Sequence, residues 1–86
     1  MNEYIITMTG KTRKKLLKIP TPWNERIELT IDQLKTQPFM GEKMFGELKD
    51  KRKIRVWPYR IIYSIDENTK EIRISEINHR GNMSYK

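Results

Sequence analysis

Lys51-Arg52-Lys53-Ile54-Arg55-Val56-Trp57-Pro58-Tyr59-Arg60-Ile61-Ile62-Tyr63-Ser64-Ile65-Asp66 is the stretch whose reading decides the fold. Its first half alternates: Lys53 and Arg55 share one parity, Ile54 and Val56 the other. A period of two predicts a strand with one buried face and one basic, solvent-facing side. Trp57-Pro58 interrupts the run, because proline cannot donate to a sheet ladder and sits at bends or edges. A second strand follows at once. Tyr59, Ile61, Tyr63 and Ile65 form one of its faces, and Arg60, Ile62 and Ser64 the other. Both faces are partly apolar, as expected of a central strand covered on one side and lining a groove on the other. The two strands bring Lys53, Arg55 and Arg60 into one small region. Cations crowded in this way need an anionic partner or ample water; the plainer reading is solvated edge charge that discourages edge-to-edge pairing.

Working outward, Glu3 to Met8 reads as a first strand, and Thr9-Gly10 ends it. Thr9 or Thr12 caps a short helix running to about Lys18, with Leu16, Leu17 and Ile19 apolar and Lys11, Arg13, Lys14 and Lys15 wet. Pro20-Thr21-Pro22 forces a tight connection. Thr21 as N-cap with Pro22 at the first helical position starts a second helix. Trp23, Ile27, Ile31 and Leu34 recur at spacings of four, four and three, which puts one stripe against a core. Glu25, Glu28 and Asp32 fall on the solvent side. The two helices form a hairpin.

Thr36-Gln37-Pro38 stops the second helix, and Phe39 to Gly46 reads as a loop. Strands are expected at 52–57, 59–66 and 71–77, the last two joined by the hairpin connection Asp66 to Lys70. Ile72 and Ile74 alternate with Glu71, Arg73 and Ser75, but the parity breaks at Ile77, where the strand bulges or ends. The order β-α-α-β-β-β is an α+β fold: an antiparallel sheet with an N-terminal helical hairpin packed on one face. A chain of 86 residues without repeats or a linker reads as a single domain spanning 1–86.

Composition narrows the function. With no cysteine there is no disulfide, thiolate metal site or cysteine nucleophile, and the single histidine, His79, rules out a histidine-rich metal centre. No metal or other cofactor is expected. No apolar run approaches a membrane span and the start lacks a signal peptide's pattern, so a cytoplasmic protein without a membrane partner is expected. The formal net charge of +7 points to a polyanion, a ribosome or an acidic protein as partner.

Lys53-Ile-Arg-Val-x-x-Tyr-Arg-Ile-Ile-Tyr63 resembles the core signature of the RelE/ParE superfamily of toxin–antitoxin toxins. The segment Leu34-Lys-Thr-Gln-Pro38, with Gly41 and Leu48-Lys49 following, is similar to the family's link between second helix and sheet. Asn78-His79-Arg80 with Tyr85 is similar to its C-terminal motif. The short polar tail 79–86 is not expected to form the longer C-terminal helix found in some members. The resemblance is closest to the RelE-like mRNA interferases. It implies a RelE-like fold, a cognate antitoxin, and mRNA in the ribosomal A site as substrate. It also implies site residues at Lys53, Arg55, Arg60, Arg80 and Tyr85.

RNA can be cut without a metal when its ribose 2′-hydroxyl attacks the adjacent phosphorus. The reaction needs a base at that hydroxyl, positive charge around the phosphoryl oxygens, and an acid at the departing 5′-oxygen. Four cations and a phenol suit such a transition state. Arg60 and Arg80 would clamp the phosphate bidentately. Lys53 is either a base, which requires neighbours that favour its neutral form, or one more stabilising charge. Arg55 would support Lys53 and position RNA, and Tyr85 would stack on a base or assist proton transfer. His79 adjoins Arg80 at opposite parity and reads as auxiliary or structural. Trp57, beside proline at a strand end, reads as packing rather than an RNA platform. Two other functions share the fold: a ParE-type gyrase inhibitor without nuclease activity, whose members generally lack the complete cationic set, and an inactive RNA-binding module.

Overall fold

The computed structural model describes residues 3–80. Five strands and two helices follow one another along it: β1 (Ile5–Met8), α1 (Gly10–Leu17), α2 (Trp23–Leu34), β2 (Glu42–Lys43), β3 (Lys51–Val56), β4 (Tyr59–Asp66) and β5 (Glu71–His79), with a short 3₁₀ turn at Gly46–Leu48. The sheet order is β1-β5-β4-β3-β2. The α+β class and the helical hairpin agree with the sequence reading. The sheet, however, is mixed: β1 runs parallel to β5, and the other pairings are antiparallel. Side-chain alternation is the same in either direction, so parity could not reveal it. The two-residue β2, paired with Arg52 and Lys53, lies within the expected loop.

Thr9 caps α1, its Oγ1 accepting from the Thr12 amide at 3.1 Å. Leu16 and Ile19 are buried, whereas Leu17, expected on the same side, is 76% exposed. Adjacent helical residues diverge by roughly 100° around the axis, so Leu16 and Leu17 cannot both face the sheet. α2 starts one residue later than its sequence suggests. Pro22, not Thr21, occupies the N-cap, and no side chain caps the helix. A backbone carbonyl does part of that work instead: the Asn24 amide donates to Pro20 O at 3.2 Å, and the Arg26 amide then opens the helical ladder on Pro22 O. Ile27, Ile31 and Leu34 then enter the core as their spacing requires, with Trp23 half-buried beside them.

The helices cover one face of the sheet, meeting Ile61, Tyr63, Ile72, Ile74 and Ile77, all essentially inaccessible. Ile74 and Ile77 both reach this face because Ser75 bulges: Ile62 pairs with Glu76 and Tyr63 with Ile74, leaving Ser75 unpaired. β1 pairs only with Glu71–Ile74. Beyond it α1 takes over the edge, with Thr12 Oγ1 donating to Ser75 O at 3.2 Å. Tyr63 ties the link after α2 to the sheet. Its hydroxyl donates to Pro38 O at 2.8 Å and accepts from the Gly41 amide at 2.9 Å. Burial pushes the Tyr63 phenol up from 10.0, opposed by the Gly41 amide and the nearby Arg52 charge. Gly41 is required here, because a Cβ would collide with the Tyr63 hydroxyl and come within 2.8 Å of its Cε1.

At the hairpin between β4 and β5, Asp66 Oδ1 accepts from the Asn68 and Thr69 amides at 3.0 and 3.2 Å. Lys70 adopts a left-handed φ of 58°. No helix among the described residues is long and apolar enough to cross a membrane.

Candidate nucleic-acid interface

The sheet face opposite the helices is built from the alternate residues of β3, β4 and β5. Register places Arg55 directly across from Arg60, and Arg60 across from Asn78. Directly opposed residues of an antiparallel pair lie on one face with Cβ atoms roughly 5 Å apart, where like charges destabilise the pairing. The strands are joined by the two-residue turn Trp57–Pro58, whose peptide bond is cis. Arg80 follows β5 and is held at this turn by its own amide, which donates to Pro58 O at 2.8 Å. Its guanidinium lies 4.5 Å above the Trp57 ring. Arg55, Arg60 and Arg80 therefore line one pocket of about 260 Å³, with Trp57 and Tyr59 as its aromatic walls.

Lys53 lies one step along the same face of β3, opposite Ile62. Its Nζ is 3.8 Å from Glu42 Oε1, an acidic neighbour contributed by β2. Lys53 does not line the arginine pocket, so the expected cluster divides into three guanidiniums and an adjacent lysine–glutamate pair. Tyr85 lies outside the described residues. His79 pairs with Tyr59 at opposite parity to Arg60, as its position beside Arg80 suggested. Its ring meets Tyr59 edge-on, with centroids 5.1 Å apart.

Trp57 was expected to pack. It is 65% exposed instead, because a two-residue turn projects its tip beyond the core, and the indole serves as a platform for Arg80. Lys15 adds a cation that its helix pattern did not single out. Its Nζ donates to Asn78 Oδ1 at 2.8 Å, linking basic α1 to the strand that precedes Arg80.

A row of guanidiniums on a sheet packed by a helical hairpin suits capture of a polyanion. The family model for the ParE toxin of the type II toxin–antitoxin system parDE matches residues 6–83. The chain belongs to the ParE toxin family. Solved structures of similar fold bear out the wider RelE/ParE resemblance. The toxin–antitoxin complex RelBE2 from Mycobacterium tuberculosis is 25% identical with a TM-score of 0.81, the match covering 91% of this chain and 99% of that one. The archaeal RelE–RelB complex from Pyrococcus horikoshii is 23% identical with a TM-score of 0.74, over 94% and 99% of the two chains. The YoeB/ParE toxin from Agrobacterium tumefaciens is 16% identical with a TM-score of 0.76, over 87% and 96%. No curated protein sequence matches. This ParE-family toxin thus has the fold of RelE-type proteins and carries three arginines at the end of its open sheet face.

Proposed function

We propose that this toxin is a ribosome-dependent mRNA endoribonuclease working in the cytoplasm, and that the arginine pocket receives the scissile phosphate. The observation that carries the reading is Arg55 directly opposite Arg60, with Arg80 closing the same pocket. Guanidiniums set side by side concentrate positive charge, and an anion seated between them would be held by both. In the reaction the 2′-oxygen bonds to phosphorus as the bond to the 5′-oxygen breaks. A 2′,3′-cyclic phosphate and a 5′-hydroxyl result, the 2′-proton passing to a base and a proton reaching the leaving oxygen. Arg60 and Arg80 hold the phosphoryl oxygens as charge grows on them. Arg55 positions RNA, while Lys53 and Tyr85 remain the proposed proton-handling or stabilising groups.

Primer extension on a translated reporter mRNA, with and without ribosomes, tests this. Discrete cuts only with ribosomes are expected, since fixing the mRNA's geometry supplies several kcal/mol (~7 or more) of the barrier. A second reading, gyrase inhibition without RNA cleavage, is favoured by the ParE description of the matching family model. Inhibited supercoiling with intact mRNA in the paired assay would select it.

The proposed protein partner is a cognate antitoxin, in keeping with the toxin–antitoxin complexes among the solved structures of similar fold. An acidic or amphipathic segment that folds on binding suits a surface of charge +7. The sequence offers Trp23 or Leu16 as its apolar anchors; Leu16 is buried in the core, whereas Leu17 and Leu29, at 76% and 66% exposure, present apolar side chains from the two helices.

A further inference from the structure

The open face continues past the arginine pocket to the far end of β3, where a groove of about 520 Å³ crosses the sheet. Register aligns Lys51, Ser64, Arg73 and Thr7 in one row across four strands. Ser75, released from pairing by the bulge, lines the same groove. Arg73 is committed to Asp66 and Glu71, at 3.4 and 3.0 Å. Lys51 instead donates to a neutral hydroxyl, Ser75 Oγ, at 3.4 Å, which leaves its charge uncompensated by that bond. Its remaining donors and the Ser64 hydroxyl form a small polar site with one effective cation, the neighbouring Thr7 hydroxyl being turned to Ile72 O at 3.5 Å.

We propose that this groove is a second nucleotide subsite, in which Lys51 holds a backbone phosphate two nucleotides from the one in the arginine pocket. The inference rests on the RNA reading above and extends it along the strand. Lys51, Lys53 and Arg55 occupy alternate positions of β3, so the cations step along one face by about 6.7 Å. That step is on the order of one nucleotide of an extended single strand, whose backbone follows a cationic groove. The pocket and the groove are four residues apart on β3, or about 13 Å. A dinucleotide at the scissile position would not reach Lys51; a hexanucleotide would.

The test uses 2′-O-methyl RNA, which lacks the attacking hydroxyl. Fluorescence anisotropy follows a labelled hexanucleotide, and competition against it follows a dinucleotide. Lys51→Ala should weaken the hexanucleotide about tenfold, the scale of one lost charge-assisted hydrogen bond. It should also lower the salt slope by about 0.7, the value for one phosphate of a single strand. Dinucleotide affinity should stay unchanged, and Lys51→Arg should restore the hexanucleotide. Lys51→Gln keeps the aliphatic stem and carries the test should the alanine variant fold poorly. Undiminished hexanucleotide binding, alongside a loss in Arg60→Ala, overturns the subsite and leaves the RNA reading intact. Equal loss for both lengths also overturns it, since Lys51 would then act through the fold or the general field. If the wild-type protein neither binds RNA nor cuts mRNA on ribosomes, the RNA reading fails and the subsite with it.

Discussion

The Arg80 guanidinium stacks 4.5 Å above the indole of Trp57, and the Arg80 amide is bonded to Pro58 O. Two contacts to one turn thus fix the last described residue of the chain beside Arg55 and Arg60. An exposed cation–π contact contributes roughly 0.5–1 kcal/mol, enough to bias one side-chain orientation without anchoring the fold.

Trp57→Ala should therefore loosen Arg80 more than it destabilises the protein. Single-turnover cleavage of ribosome-bound mRNA should fall about fivefold, the equivalent of roughly 1 kcal/mol, and Trp57→Phe should recover part of it. Arg80→Ala should cost about 100-fold or more, the scale for one lost transition-state donor. Equal cleavage in wild type and Trp57→Ala would show that the stack does not orient Arg80.

The opposition of Arg55 and Arg60 predicts a trade between stability and activity. Arg55→Gln removes a repulsion of about 0.2–1 kcal/mol, so thermal melting should rise by a few degrees. Cleavage should fall at the same time. Calorimetry and the ribosome assay on one preparation check both. A lower melting temperature in Arg55→Gln would mean that the pair is relieved within the protein itself.

Tyr63 is the polar tie within the core. Tyr63→Phe leaves the Gly41 amide and Pro38 carbonyl without their buried partner and should cost about 1–3 kcal/mol. Gly41→Ala forces a methyl group against the same phenol and should cost about 1–3 kcal/mol. Urea denaturation with unchanged m-values measures both.

The same phenol gives a pH dependence of definite sign. Burial raises its ionisation above 10.0 in the folded chain, so the unfolded chain loses this proton first. The associated stability is complete below about pH 10 and declines as pH rises from there through the folded value. The melting temperature of wild type should thus fall more steeply above pH 10 than that of Tyr63→Phe. Parallel curves would refute the assignment.

Several decisive features were legible in the chain because they depend on local period and chemistry. The alternation within Lys51–Asp66 specified two strands and which residues share a face, and the four-four-three spacing from Trp23 specified the buried stripe of α2. The parity break at Ile77 left a bulge or a strand end open; the structure has the bulge, at Ser75, and β5 continues to His79. Arg55 and Arg60 were recognisable as neighbours because a two-residue turn between them fixes register.

Other features depend on contacts between distant segments, which local period does not encode. The parallel docking of β1 on β5 follows from where the helical hairpin carries the chain, not from the pattern Ile5–Met8. Glu42 meets Lys53 only because β2 adds to the sheet edge. Trp57 becomes the platform for Arg80 because β5 returns beside the β3–β4 turn. The sequence by itself determined which residues are cationic, which faces are apolar and where strands turn, since these follow from side-chain chemistry and repeat. Tertiary structure alone decided which of those cations share a pocket, because that is set by strand order and long-range register.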